Sequence, residues 1–269
     1  MTTTQPQHPY VFGNAWQQED ERLALLEAGW DAKTFRHLDR LGVAEGWRCL
    51  EVGGGGGSVT RWLCRAVGPG GRVVATDLDA RFLLALDESN LVARVHNIVT
   101  DDLEQGWYDL VHTRLVLEHI PERDRALDRM VAALKPGGWL LAEEFDHATM
   151  LPVVGSSAEE QALWARFLLA FQALSAQRGL DLAYGGRLPG VFRERGLTER
   201  GVEATVQLNP GGSPLSRVLS LSIARMREGL TGTGQVDGGA LETLMARLDD
   251  PAFGWMSQTM VAAWGRRAA

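Results

Sequence analysis

The segment Leu50–Thr60, LEVGGGGGSVT, constrains this 269-residue chain more than any other. An apolar strand carrying an acid runs into five consecutive glycines and then into a helix start, the construction of a strand-to-helix turn that grips a nucleoside cofactor. A dinucleotide fingerprint asks for G-x-G-x-x-G or a version ending in Ala. Counted from Gly53 and Gly55 its third small position falls on Ser58, and counted from Gly54 and Gly56 it falls on Val59. Neither start completes it. What the run does contain is Glu51, one apolar residue, and glycine at Gly53, Gly55 and Gly57. A flexible glycine linker would have polar, low-complexity flanks. Here an apolar strand precedes the run and the amphipathic set Val59, Trp62, Leu63 and Ala66 follows it.

The surrounding pattern predicts alternating elements. Arg48–Val52 reads as a strand and Ser58–Val67 as a helix with Ser58 at its N-cap. After the GPGG turn come a strand at Arg72–Thr76, a helix at Arg81–Leu86 and strands at Ala93–Ile98 and Tyr108–His112. A helix at Arg123–Leu134, stopped by Pro136-Gly137-Gly138, leads to a strand at Trp139–Phe145. Such alternation implies an α/β fold with a parallel sheet. From Ser156 to Arg178 one long helix follows, with a capping box at Ser157 and Glu160. Its stripe of Leu163, Phe167, Leu168, Phe171 and Leu174 suits core packing, a substrate wall, or both. Further helices are expected at Arg187–Glu194 and Arg217–Leu230, and strands at Arg200–Leu208 and Met260–Trp264.

Glu51-x-Gly53-x-Gly55-x-Gly57 resembles motif I of the class I S-adenosylmethionine-dependent methyltransferases. VVATDLD, which contains Asp77 and Leu78, and YDLVHTRLVLEHIPERDRALDRMVAALKPGGWLL resemble that family's later motifs, so the likeness covers Arg48–Asp146. Weaker similarity to actinobacterial-type small-molecule members extends through FGNAWQQEDERL and AAWGRR. The resemblance implies a Rossmann-like, seven-stranded, mostly parallel sheet flanked by helices, with a helical cap over the active site. Residues 1–40 would form a lid and first helices, 41–150 the cofactor-binding core, and 151–269 the cap insertions plus the last two strands. It implies S-adenosyl-L-methionine as cofactor, S-adenosyl-L-homocysteine as product, and O-, N- or C-methylation of a small, partly apolar acceptor in secondary metabolism. Charge agrees: Glu51 would welcome a sulfonium and an ammonium, whereas a pyrophosphate tolerates no carboxylate beside it. The alternatives are a nicotinamide-dependent oxidoreductase, which the incomplete glycine pattern disfavours, and a non-catalytic binding protein of the same fold, against which the intact glycines and Asp77 speak.

Within that frame the site residues can be assigned. Gly53, Gly55 and Gly57 let the backbone turn with positive φ. Asp77 would accept from the ribose hydroxyls, with Asp79 as the competing acid and Leu78 against the adenine. Asn97 stands where many family members have an adenine-reading Asp, with Asp101 or Asp102 as alternatives and Ile98 offering its backbone. Arg114 would bind the cofactor carboxylate or an acidic acceptor, or else pair with Glu118. Ligands lie beyond the carboxyl ends of the strands, which makes His119 the first candidate for a general base, with Glu144 and His147 in reserve. Glu143 and Glu144 alternate across their strand, so at most one faces the cleft. Tyr10 and Phe12 would belong to a lid or substrate wall. Asp146 and His147 lack a second ligand cluster, and no metal is expected.

Composition narrows the partners. A formal net charge of -7 argues against a nucleic-acid face and favours a small molecule. No apolar stretch approaches bilayer length. The start MTTTQPQHPY has neither a basic n-region nor an apolar h-region, so the expected location is cytoplasmic. Cys49 and Cys64 read as reduced core residues, and a homodimer stays open.

Overall fold

β1 (Arg48–Val52) is buried along its length from Cys49 onward, as a strand covered by helices on both faces must be. It pairs in parallel with β2 (Arg72–Asp77) on one side and β4 (Tyr108–Arg114) on the other. β3 (Leu91–Val95) extends the sheet beyond β2, and β5 (Leu134–Asp146) extends it beyond β4. β10 (Thr259–Arg266) runs antiparallel between β5 and β7 (Thr198–Thr205). The computed structural model describes residues 18–152 and 156–269. Among them the sheet has seven strands in the order β3-β2-β1-β4-β5-β10-β7, mostly parallel and flanked by helices, as the resemblance implies.

Alternation along the strands sends side chains to two cores. On one face Cys49, Val73, Leu110 and Leu141 meet α2 (Ser58–Val67) and the end of α1 (Glu19–Leu41) through Leu63 and Leu38. Leu63 is fully buried, which stabilises the fold by roughly 1.5–3 kcal/mol relative to exposure. On the other face Leu50, Val74, Val111 and Leu140 meet α4 (Arg123–Ala133) and α6 (Tyr184–Glu194). A third core lies over the carboxyl ends of the strands. It is built by α5 (Ala158–Gln177), α7 (Pro214–Gly232) and α8 (Gly238–Asp249) around Trp164, Phe167, Ile223 and Leu244. The capping box of Ser157 and Glu160 forms. β6 (Leu151–Pro152), β9 (Gly254–Met256) and β8 (Leu208–Pro210) make a small antiparallel sheet beside this cap. No helix among the described residues is long and apolar enough to cross a membrane.

Several features differ from expectation, among them the strand expected to reach Leu208, which ends at Thr205 while Leu208 opens β8 of the small sheet. β3 starts at Leu91, because the Asn90 amide donates to the carbonyls of Cys64 and Gly68, both at 2.8 Å, and fixes the strand entry there. β3 ends at Val95, so Asn97 and Ile98 lie past the strand. β5 starts at Leu134 and runs through Lys135–Gly138, which pairs with the C-terminal stretch: Gly137 N–H donates to Arg267 O and Arg267 N–H to Gly138 O, both at 2.9 Å. The helix α3 is short, Arg81–Leu84. Finally, α8 and the small sheet carry too brief an apolar pattern to stand out by periodicity.

Candidate active site

The glycine turn adopts the backbone that its composition permits. Gly53, Gly55 and Gly57 have φ of +73°, +52° and +88°, a region where a Cβ is strained. Thr76 O accepts from Gly53 N–H at 2.7 Å and Gly54 N–H at 3.1 Å, tying the turn to β2. A Cβ on Gly53 would stand 2.2 Å from Val116 Cγ2, whereas one on Gly55 would meet only Leu23, at 3.5 Å. The N-cap of α2 is Gly57 rather than the expected Ser58. Glycine has no capping side chain, and α1 supplies acceptors in its stead: Ser58 N–H donates to Glu27 Oε1 at 3.2 Å and Ser58 Oγ donates to Asp31 Oδ1 at 3.0 Å.

Asp77 stands at the end of β2 beside this turn. Its Oδ2 accepts from Gly55 N–H and its Oδ1 from Asp79 N–H, both at 3.0 Å, while burial raises its carboxyl from its ordinary value. Leu78 is 60% exposed. Asn97 Oδ1 is occupied by Val99 N–H at 2.9 Å, and Asp101 Oδ2 accepts Asn97 N–H at 2.9 Å. Hydrogen bonds from the Asn97 amide and the Thr100 hydroxyl hold the Asp101 carboxyl below its usual value. Leu78, Asn97, Ile98 and Asp101 line one cavity with the glycine turn; Asp102 is not among its lining residues.

Two of the assigned residues line the cavity and also have partners within the protein. Glu51 is 2% exposed, and its Oε2 meets His112 Nδ1 at 2.8 Å. His112 Nε2 lies 3.2 Å from Glu143 Oε2, and Glu143 also meets His37 Nδ1 at 2.9 Å and the Thr34 hydroxyl at 2.6 Å. β1, β4 and β5 are adjacent, so Glu51, His112 and Glu143 project side by side under α1. Burial alone would lower the His112 pKa, yet Glu51 and Glu143 carry it up to about 9. Burial alone would raise Glu143, but the His112 and His37 hydrogen bonds hold it well below its ordinary value. Arg114 is likewise occupied: it donates to Thr34 Oγ1 and Asp31 Oδ1, both at 2.9 Å, and does not pair with Glu118. Periodicity shows only that strand residues 51, 112 and 143 are polar among apolar neighbours; that signal marks a buried polar cluster without naming its members.

Glu118 instead bridges two imidazoles. Its Oε1 is 3.3 Å from His119 Nε2 and its Oε2 is 3.3 Å from His147 Nε2. Burial would raise Glu118, but the two histidines and Arg123 bring it below its usual value. Burial lowers His119, and Glu118 opposes the shift. Sequence reasoning missed Glu118 as the link. Glu144 turns to the sheet face opposite Glu143 and accepts the amides of Val116, Leu117 and Glu118 at 3.1, 2.8 and 3.2 Å. Burial and the nearby Glu118 carboxylate push it up to about 8. It holds the loop, and neither it nor Glu143 lines the cavity. At the head of that loop Leu115 has φ of +57°, a local strain of order 1–2 kcal/mol for a side chain of this kind.

A cavity of about 1310 Å³ joins these parts. At one end are the glycine turn, Asp77 and Asn97. At the other are Glu118, His119 and His147, under an apolar wall that includes Trp30, Phe145, Phe167, Phe171 and Trp255. The stripe on α5 thus serves both core and cavity. Tyr10 and Phe12, with the lid they would form, lie outside the described residues.

Known proteins resemble this chain in sequence over part of its length and in fold. Residues 50–140 match the model of a methyltransferase domain. The ubiquinone/menaquinone biosynthesis C-methyltransferase of Vibrio parahaemolyticus is 32% identical over 124 residues, which are 43% of this chain and 48% of that protein. The chain thus matches about half the length of such curated relatives. Among solved structures, phosphoethanolamine N-methyltransferase 2 of Haemonchus contortus, in complex with phosphomonomethylethanolamine and S-adenosylhomocysteine, aligns with a TM-score of 0.56 at 19% identity. That alignment covers 97% of this chain and 57% of that one. Geranyl diphosphate C-methyltransferase of Streptomyces coelicolor aligns with a TM-score of 0.52 at 15% identity, covering 96% of this chain and 87% of that one. These structural likenesses speak for the fold, and the sequence match falls on the glycine turn and the strands around it. Residues 50–140 thus form a methyltransferase domain.

Proposed function

We propose that this protein transfers a methyl group from S-adenosylmethionine to a small, partly apolar acceptor in the cytoplasm, in secondary metabolism. The observation that carries the reading is the single cavity joining the glycine turn and Asp77 to the Glu118, His119 and His147 cluster beneath an aromatic wall. In this reading residues 41–150 hold the cofactor, while 151–269 supply the cap and the last strands. Bound S-adenosylmethionine supplies an electrophilic methyl on a positively charged sulfur. Gly55 offers its backbone to the nucleoside, and Asp77, already aligned by two amides, accepts from the ribose. Leu78 and Ile98 flank the adenine; because Asn97 Oδ1 is engaged by Val99, recognition there falls to this loop as a unit.

His119, oriented through Glu118, takes the proton of the acceptor, and the apolar wall excludes water from the transfer. A base at this point favours a hydroxyl or an enolic carbon over an amine that already carries a lone pair. The curated relative named above is a C-methyltransferase, which supports the carbon alternative. Incubating the protein with methyl-labelled S-adenosylmethionine and a panel of apolar phenols, enols and amines tests the reading. Labelled product together with S-adenosylhomocysteine is expected. Cofactor binding without turnover across the panel would support the non-catalytic alternative, and no cofactor binding would defeat the reading.

A further inference from the structure

We propose that Glu27 of α1, not Glu51 of the glycine motif, is the carboxylate that receives the cofactor's ammonium; the assignment rests on S-adenosylmethionine being the cofactor. Of the acids Glu51, Asp31, Asp77 and Glu27 at the turn, the first three have partners that hold them. Glu51 lines the cavity, but its Oε2 is taken by His112 at 2.8 Å. Asp31 is paired with Arg114 at 2.9 Å and accepts from Ser58 Oγ. Asp77 is held by the Gly55 and Asp79 amides at the nucleoside side of the turn. Glu27 lines the cavity, and among the described residues no ion pair joins it to a cation. Its Oε1 lies 2.6 Å from where a Cβ on Gly56 would stand, so the carboxylate rests directly on the glycine run.

The chemistry follows from that placement. Burial raises the Glu27 carboxyl above its ordinary value, with Asp31 adding to the rise while the Ser58 hydrogen bond and the more distant Arg114 oppose it. A ligand ammonium is the missing partner, and a charge-assisted hydrogen bond is stronger than a neutral one. Asp77 and Glu27 bracket the turn: one bonds Gly55 N–H, the other Ser58 N–H. A ligand with a diol at one end and an ammonium at the other matches that pair.

Glu27 also caps α2 through Ser58 N–H, and a purely structural cap is the competing role. Glu27→Gln separates them, because glutamine keeps an oxygen for Ser58 N–H and loses the charge. Calorimetry would compare S-adenosylhomocysteine with 5′-methylthioadenosine, which keeps the nucleoside and the sulfur but lacks the amino-acid end. The expected result for Glu27→Gln is a loss of about tenfold or more for the first ligand, unchanged affinity for the second, and an unchanged thermal midpoint of the free protein. Glu51→Gln, in contrast, should lower the thermal midpoint and not discriminate between the ligands. Equal losses for both ligands in Glu27→Gln, or no loss for either, would overturn the assignment. A wild-type protein that bound neither ligand would instead overturn the cofactor reading beneath it.

Discussion

Glu51 Oε2 and His112 Nδ1 meet at 2.8 Å across β1 and β4, in a layer where His112 has no solvent exposure and Glu51 only 2%. Its imidazole touches Glu143 on its other side, so one cation links two carboxylates on three consecutive strands. The motif acid is thereby a member of the sheet's interior, and α1 is fastened to it through His37, Thr34 and Arg114.

Stability should therefore depend on pH through His112. The folded pKa, about 9, lies above the imidazole's ordinary value of 6.5, so the contribution is fully present below pH 6.5 and is lost as pH rises through about 9. Thermal midpoints of the wild type should fall across that window. His112→Gln should cost roughly 3–5 kcal/mol, because it strands buried carboxylates, and should flatten the fall. An identical pH slope in both proteins would remove His112 as its source.

Gly53 and Gly55 should fail differently when changed to alanine. Both positions have positive φ, costing roughly 1–2 kcal/mol, but only at Gly53 does the new Cβ strike Val116. Gly53→Ala should lower both the thermal midpoint and cofactor affinity. Gly55→Ala should be modestly less stable yet markedly weaker for S-adenosylhomocysteine, since its Cβ projects where the ligand backs onto the turn. Unchanged affinity in Gly55→Ala, measured by calorimetry, would move the ligand off this residue.

Asp77→Ala should weaken S-adenosylhomocysteine and 5′-methylthioadenosine alike, by about tenfold or more, since both carry the ribose. Selective loss of only one ligand would contradict a ribose role.

Removing charge at Glu118 should act on turnover. Glu118 opposes the lowering of His119 by burial, so Glu118→Gln lets the His119 pKa fall further, and the acidic limb of the rate profile should move to lower pH. His119→Ala should cost about two orders of magnitude in kcat with a hydroxyl acceptor, with cofactor affinity nearly unchanged. Full activity across pH in His119→Ala would shift the role of base to His147, the other imidazole on Glu118.

The elements that short-range physics controls are legible in the amino-acid order. β1 and α2 fall on Arg48–Val52 and Ser58–Val67 as expected, because apolar periodicity and glycine's conformational freedom are properties of neighbouring residues. Strand alternation likewise determined the parallel sheet, and Ser157 with Glu160 the start of α5. Tertiary structure alone decided what each polar side chain meets. Glu51 finds His112 61 residues away, Arg114 finds Asp31 83 residues away, and Ser58 takes its cap from Glu27 31 residues earlier. Even the entry to β3 is set by Asn90 reaching back 26 residues to Cys64. A charge buried in a sheet takes whichever partner the packing of strands and α1 brings within about 3 Å, and no local pattern encodes that distance.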